Sequence, residues 1–136
     1  MAMRVELVSP ERVLFQGDAD MVVARTANGE IAFLPGHVPF LGALGIAKLR
    51  VIQADGEIVA AVHGGFVEAG PNGVTVLSDV AELSDQVDVV RARTAQEAAE
   101  ARLRADAEDA EAKDALQRAL VRLDAAGQAP AAGATH

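Results

Sequence analysis

The sequence predicts a β + α protein, an N-terminal antiparallel β-sandwich followed by a C-terminal two-helix antiparallel hairpin. Two contrasts carry this reading. The first 86 of the 136 residues hold ten of the twelve Gly and four of the five Pro, set between short Val, Ile and Leu runs. Turn formers punctuating β-branched runs mark strands. The last 50 residues hold seventeen Ala, sixteen charged residues and two Gly, a composition that favours helix. The expected units are therefore a β domain over 1–86, a helical hairpin over 87–126 and a tail over 127–136.

Within the first unit, strands are expected at 4–8, 12–16, 21–25, 30–34, 47–53, 57–62, 66–69 and 74–78. Asp55-Gly56 and Asn72-Gly73 supply tight turns between them. So many short strands bury their apolar faces only by closing into a barrel or stacking as two sheets. Between the fourth and fifth strands lies Phe33-Leu34-Pro35-Gly36-His37-Val38-Pro39-Phe40. Pro35 fixes its own φ, Gly36 permits positive φ, and Pro39 biases Val38 towards extended geometry. The outcome is a rigid loop that presents His37 between two apolar runs.

In the second unit, Ala112, Ala115, Leu116, Ala119, Leu120 and Leu123 recur at helical spacing and form one apolar stripe. A first helix from about 88 to 107 carries the thinner stripe Ala92, Ala95, Ala99 and Leu103. Acidic Asp106, Glu108, Asp109 and Glu111 crowd the junction, which fits a break between helices. Alanine faces permit close approach and bury little area each, so the hairpin is expected to be weakly held. The tail from 127 to 136 is Ala, Gly, Pro and polar residues and reads as disordered.

Composition excludes several classes. Phe15, Phe33, Phe40 and Phe66 are the only aromatics, so aliphatic residues build the core. No run reaches the eighteen or so apolar residues of a membrane span, and the start lacks a signal-peptide pattern. Without Cys there are no disulfides or thiolate metal sites. A net charge of −8 disfavours nucleic acid or anionic lipid as the main partner. No phosphate-binding glycine loop or nucleophile elbow occurs. Ser9, Ser78 and Ser84 with His37, His63 and His136 give no evident nucleophile–base–orienter set, so an autonomous enzyme is not expected. His63 reads as a structural strand-end residue, and a His37–His63 pair is too few ligands for a metal site.

Four motifs in order resemble one family. Asn28-Gly29-Glu30-Ile31-Ala32-Phe33-Leu34-Pro35-Gly36-His37-Val38-Pro39-Phe40-Leu41 resembles the G-E-L-G-I-x-P-G-H-x-P-L loop of the epsilon subunit of bacterial F-type ATP synthases. Gly64-Gly65-Phe66-Val67-Glu68 resembles its G-G-F-x-E strand, and Val74 to Asp79 its last strand. Val87-Asp88-Val89-Val90-Arg91-Ala92 is similar to the [I/L]-D-x-x-R-A run that opens its C-terminal hairpin. Singly each motif is weak, whereas the ordered set is specific.

The resemblance implies a flattened ten-stranded sandwich, two strands more than the residues alone predict. It implies a non-catalytic central-stalk subunit of a proton-translocating enzyme that couples rotation to ATP synthesis and inhibits ATP hydrolysis through its hairpin. The implied partners are the gamma subunit, the c-ring and the alpha/beta catalytic head. The implied place is the cytoplasmic face of the cell membrane, held peripherally without a span. Pro35, Gly36, His37 and Pro39 fall in the loop that meets gamma, and Glu30 lies near basic loops of the c-ring. Read without the family, His37 is a loop residue bonded to backbone and Glu30 a solvated strand-edge carboxylate.

No cofactor is required, but family members that bind regulatory ATP, with or without Mg, use a motif that maps onto Glu82, Asp88, Arg91, Ala92, Arg118 and Arg122. Arg118 and Arg122 are one helical turn apart and can aim two guanidiniums at phosphate oxygens. Asp88 is equally well placed to cap the first helix, and Arg118 to pair with Asp114. Val87 stands where Ile or Leu is usual, and Ala98 where clear ATP binders carry Arg, a change that lowers affinity. The alternative from another class is a non-catalytic sandwich and hairpin adaptor that binds an unrelated protein partner.

Overall fold

The computed structural model describes residues 2–127, in the order of eight strands and two helices. The strands are β1 (Met3–Val8), β2 (Val13–Ala19), β3 (Met21–Thr26), β4 (Gly29–Phe33), β5 (Phe40–Gln53), β6 (Gly56–Gly70), β7 (Gly73–Leu77) and β8 (Ala81–Leu83). They hydrogen-bond in the order β2-β1-β7-β6-β5-β3-β4, with β8 added beside β6. Pairing is antiparallel apart from β1 with β7, which run parallel.

Two long strands turn this sheet into a sandwich. The C-terminal half of β6 pairs with β7, whereas its N-terminal half pairs with β8. β5 follows β6 along its length in one unbroken register, and only Gly45 and Gly64 drop out of the pairing. Gly64 and Gly65 have φ of 85° and 122°, a region that favours glycine. A β-carbon on Gly65 would lie against the Leu77 carbonyl and 2.9 Å from the Ser78 Cα. The bend also exchanges faces. Ala60 and Val62 point into the core before it, and Val67 and Ala69 after it.

The core between the two leaves includes Val5, Leu7, Val22, Phe33, Leu49, Val51, Val67, Val74 and Val76. It is aliphatic, as composition predicts, with Phe33 its one fully buried ring among the described residues. The residues-only reading divides β6 in two at Gly64–Gly65 and starts β5 seven residues late. In the structure each is continuous, so the described residues form eight strands where the resemblance implies ten.

A 3-10 turn (Ser84–Gln86) leads into α1 (Val89–Ala105), and a short turn joins it to α2 (Ala110–Ala125). Each helix starts at an Asp cap. Asp88 accepts from the Arg91 N–H at 3.1 Å, and Asp109 from the Ala112 N–H at 3.0 Å. Such caps contribute about 1 kcal/mol each in favourable sites. Arg102 closes the junction by pairing with Asp109 at 3.0 Å.

α2 lies between α1 and the outer face of β5 and β6. The Gln117 side chain donates to the Ile46 carbonyl, and Lys48 meets Asp124 at 3.2 Å. The expected α2 stripe is the buried one, with Ala112, Ala119 and Leu123 inaccessible. On α1 the buried residues are Ala92, Gln96 and Ala99, while Ala95 is exposed. Gln96 takes the place given to Ala95, and its Oε1 is buried without a partner. The expected tail lies, beyond Gly127, outside the described residues.

Candidate functional site

β8, the start of α1 and the end of α2 enclose a cavity of about 190 Å³. Its walls are Glu82, Asp88, Arg91, Ala92, Ala95 and Arg122. Five of the six positions carried over from the motif thus converge, although 40 residues separate Glu82 from Arg122. Small-molecule pockets usually measure roughly 300–1,000 Å³. This one has room for phosphate groups, and a whole nucleotide would widen it or stand partly outside.

The arrangement is one of paired charge. Arg122 Nε donates to Glu82 Oε1 at 2.5 Å, so the guanidinium of α2 is held by the carboxylate of β8. Asp88 and Arg91 lie across the cavity on the first turn of α1. The four amount to two cations and two anions, with Arg122 taken by Glu82 and the Arg91 N–H by Asp88, so phosphate oxygens entering here compete with those carboxylates. Ala92 and Ala95 leave the wall open because their side chains are short.

Arg118 is not part of the wall. It lies one turn before Arg122, and its charge reaches His63 instead. No ion pair joins it to Asp114 among the described residues. Ala98 is exposed on α1, a turn beyond Ala95, and offers no phosphate contact.

His63 differs from its strand-end expectation. It sits inside β6, paired with Ile46 of β5, on the face covered by α2. Its side chain is 3% exposed, and neither ring nitrogen has a hydrogen-bond partner. Nε2 stands 3.7 Å from Glu82 Oε1, too far for a hydrogen bond. Burial first, then the Arg122 charge and, more weakly, Arg118 push its pKa down to about 4, against the opposing pull of Glu82. The ring is neutral at pH 7. The sequence carries no period-2 signal for this place, because Ala60, Ala61 and Val62 are all apolar and all buried.

The second group of expected residues lies at the far end of the sandwich. Gly36 has φ of 81°, and its N–H donates to the Pro71 carbonyl. His37 is half-buried, its ring edge-on to Phe33 at 5.0 Å and its Nδ1–H bonded to the Val38 carbonyl at 2.5 Å. Leu34, Val38 and Leu41 around it are exposed. Pro35 and Pro39 bracket the loop, and a cavity of about 530 Å³ opens beside Pro39, Leu41 and Pro71. Glu30 is exposed on β4 opposite Arg25 of β3.

One surface feature was not legible as a site. Val13, Val8, Leu77, Phe66 and Ala43 stand side by side across β2, β1, β7, β6 and β5. Val13, Leu77 and Phe66 are each about half exposed, at 53%, 46% and 56%. A contiguous apolar row on an open sheet face is the type of patch that interaction surfaces use.

Residues 2–84 match the family model of the ATP synthase delta/epsilon chain β-sandwich domain. The chain is 42% identical over 130 residues to an ATP synthase epsilon chain of Halalkalibacterium halodurans, covering 93% of this chain and 98% of that one. It is 47% identical over 126 residues to that of Thermobifida fusca, covering 90% of each. With that of Alkalihalophilus pseudofirmus the identity is 45% over 107 residues, 79% of this chain and 80% of the other. The fold also resembles a chain in the mitochondrial ATP synthase of Euglena gracilis, with TM-score 0.79, 22% identity and coverage of 93% and 82%.

Proposed function

The chain belongs to the ATP synthase epsilon-chain family and couples central-stalk rotation to ATP synthesis in that complex; we propose how its two parts share the work. The β domain docks on the gamma subunit and the c-ring and catalyses nothing itself. The apolar row from Val13 to Ala43 and the loop of Pro35, Gly36, His37 and Pro39 offer it area for gamma. Exposed Glu30 suits basic loops of the ring, at about 0–1 kcal/mol for one exposed pair. No described helix is long and apolar enough to cross a membrane, and the chain is held peripherally, on the cytoplasmic face.

The hairpin is the regulatory part. Here it is compact, with α2 against β5 and β6. Released, it extends into the alpha/beta head and blocks ATP hydrolysis, with Arg102, Arg104 and Lys113 among the cations it presents. ATP, with or without Mg, binds the cavity and favours the compact state, because both helices and β8 contribute to the wall. A ligand shifts such an equilibrium only by binding one state better. The observation that carries this reading is the convergence of Glu82, Asp88, Arg91, Ala92 and Arg122 on one cavity. Amide exchange with and without ATP tests it. Slower exchange in β8 and in both helices supports the reading, and identical exchange with no measurable binding opposes it.

A further inference from the structure

We propose that a polyphosphate ligand entering the Glu82–Arg122 cavity binds together with one proton, which His63 takes up. The inference rests on the reading of this cavity as a nucleotide site and adds its regulation by pH.

In the free chain Arg122 holds Glu82 at 2.5 Å, and His63 lies just outside hydrogen-bond reach of the same oxygen at 3.7 Å. The His63 ring is 3% exposed, and both its nitrogens lack partners. A buried polar group without a partner is rare and calls for an explanation. The charged groups facing it are few. Glu82 faces it from β8, Arg118 and Arg122 from α2. On β5, Lys48 shares the outer face and is held by Asp124. Asp88 and Arg91 of α1 lie beyond Glu82, across the cavity.

Phosphate oxygens entering the cavity compete with Glu82 for Arg122. The guanidinium that now opposes a charge on His63 is then neutralised by the ligand. Glu82, freed of its cation, is left as a partly buried carboxylate less than ~1 Å beyond hydrogen-bond contact with His63 Nε2. A protonated imidazole is the nearest group that can satisfy it. Ligand and proton therefore help each other bind, and the coupling is reciprocal. The ring rises from about 4 towards its ordinary 6.5 or above.

The sign follows directly. Between those two values the bound chain carries more protons than the free chain, so affinity increases as pH falls. With the ring restored to 6.5, binding is about fivefold tighter near pH 5.8 than near pH 7.2, and His63→Gln abolishes that share of the difference.

The test is calorimetric titration of the full chain with ATP and with tripolyphosphate, at both pH values, in buffers of different ionisation enthalpy. Proton uptake above that of the ligand's own phosphates, lost in His63→Gln, is the expected result. NMR titration of the native His63 ring gives a second measurement that needs no variant, with the ring rising on ligand addition. Arg122→Gln should raise it without any ligand. Binding with no extra proton and an unmoved ring overturns this inference and leaves the nucleotide site standing. No binding of either ligand at either pH overturns both.

Discussion

The Glu82 carboxylate of β8 meets the Arg122 guanidinium of α2 at 2.5 Å, and this contact ties the last strand of the sandwich to the last helix. Each side chain is 27% exposed, so the pair is partly screened and contributes about 1 kcal/mol. Glu82→Gln should loosen the compact hairpin by that amount. Amide exchange in α2 then speeds up about fivefold, while the β1 and β7 amides do not change.

Gln96 makes the opposite prediction. It is fully buried between the helices, and its Oε1 has no partner. An unsatisfied buried acceptor costs about 1–3 kcal/mol. Gln96→Leu removes the orphan at similar volume and should stabilise the compact hairpin by about 1 kcal/mol. Slower exchange of α1 amides would be the sign; faster exchange would mean that the glutamine is held by something other than packing.

The bend in β6 depends on Gly65. Alanine there meets positive φ and the Leu77 carbonyl together. Gly65→Ala should destabilise the β domain by about 3 kcal/mol or more. Thermal unfolding of residues 1–86 reads this directly, because the core cluster contains no helix residue.

Acid stability carries the mark of His63. Its pKa is about 4 in the folded chain and 6.5 when exposed, so the unfolded state binds the proton more tightly. Stability from this group is full above pH 6.5 and falls as pH drops towards 4, by about 1 kcal/mol per pH unit. Denaturant unfolding from pH 7.5 down to about pH 5.5 should show that slope, and His63→Gln should flatten it. An unchanged slope would mean that the ring is not buried as a neutral group.

Much of this architecture is legible in the residues, and the failures have physical causes. Alternation and turn pairs locate β1 to β4 and β7. They miss the first half of β5, where Gly42 and Gly45 resemble a loop, and divide β6 at glycines that serve a bend inside a strand. β8 is three residues beside Asp79 and too short for periodicity. On α1 a polar Gln in the buried stripe displaces the reading by one residue. The cavity is a different case. No spacing rule brings Glu82 to Arg122, and the motif resemblance located them. His63 reads as a strand-end residue because no motif includes it and the apolar run Ala60-Ala61-Val62 before it shows no alternation.

The central claim is that the hairpin is a releasable brake on a coupling domain. The most direct measurement is ATP hydrolysis by the cognate catalytic head with gamma, supplemented with residues 1–136 or residues 1–86. Both forms should bind gamma, and only the longer one should inhibit. Equal hydrolysis rates with the two forms, both bound, would contradict the account.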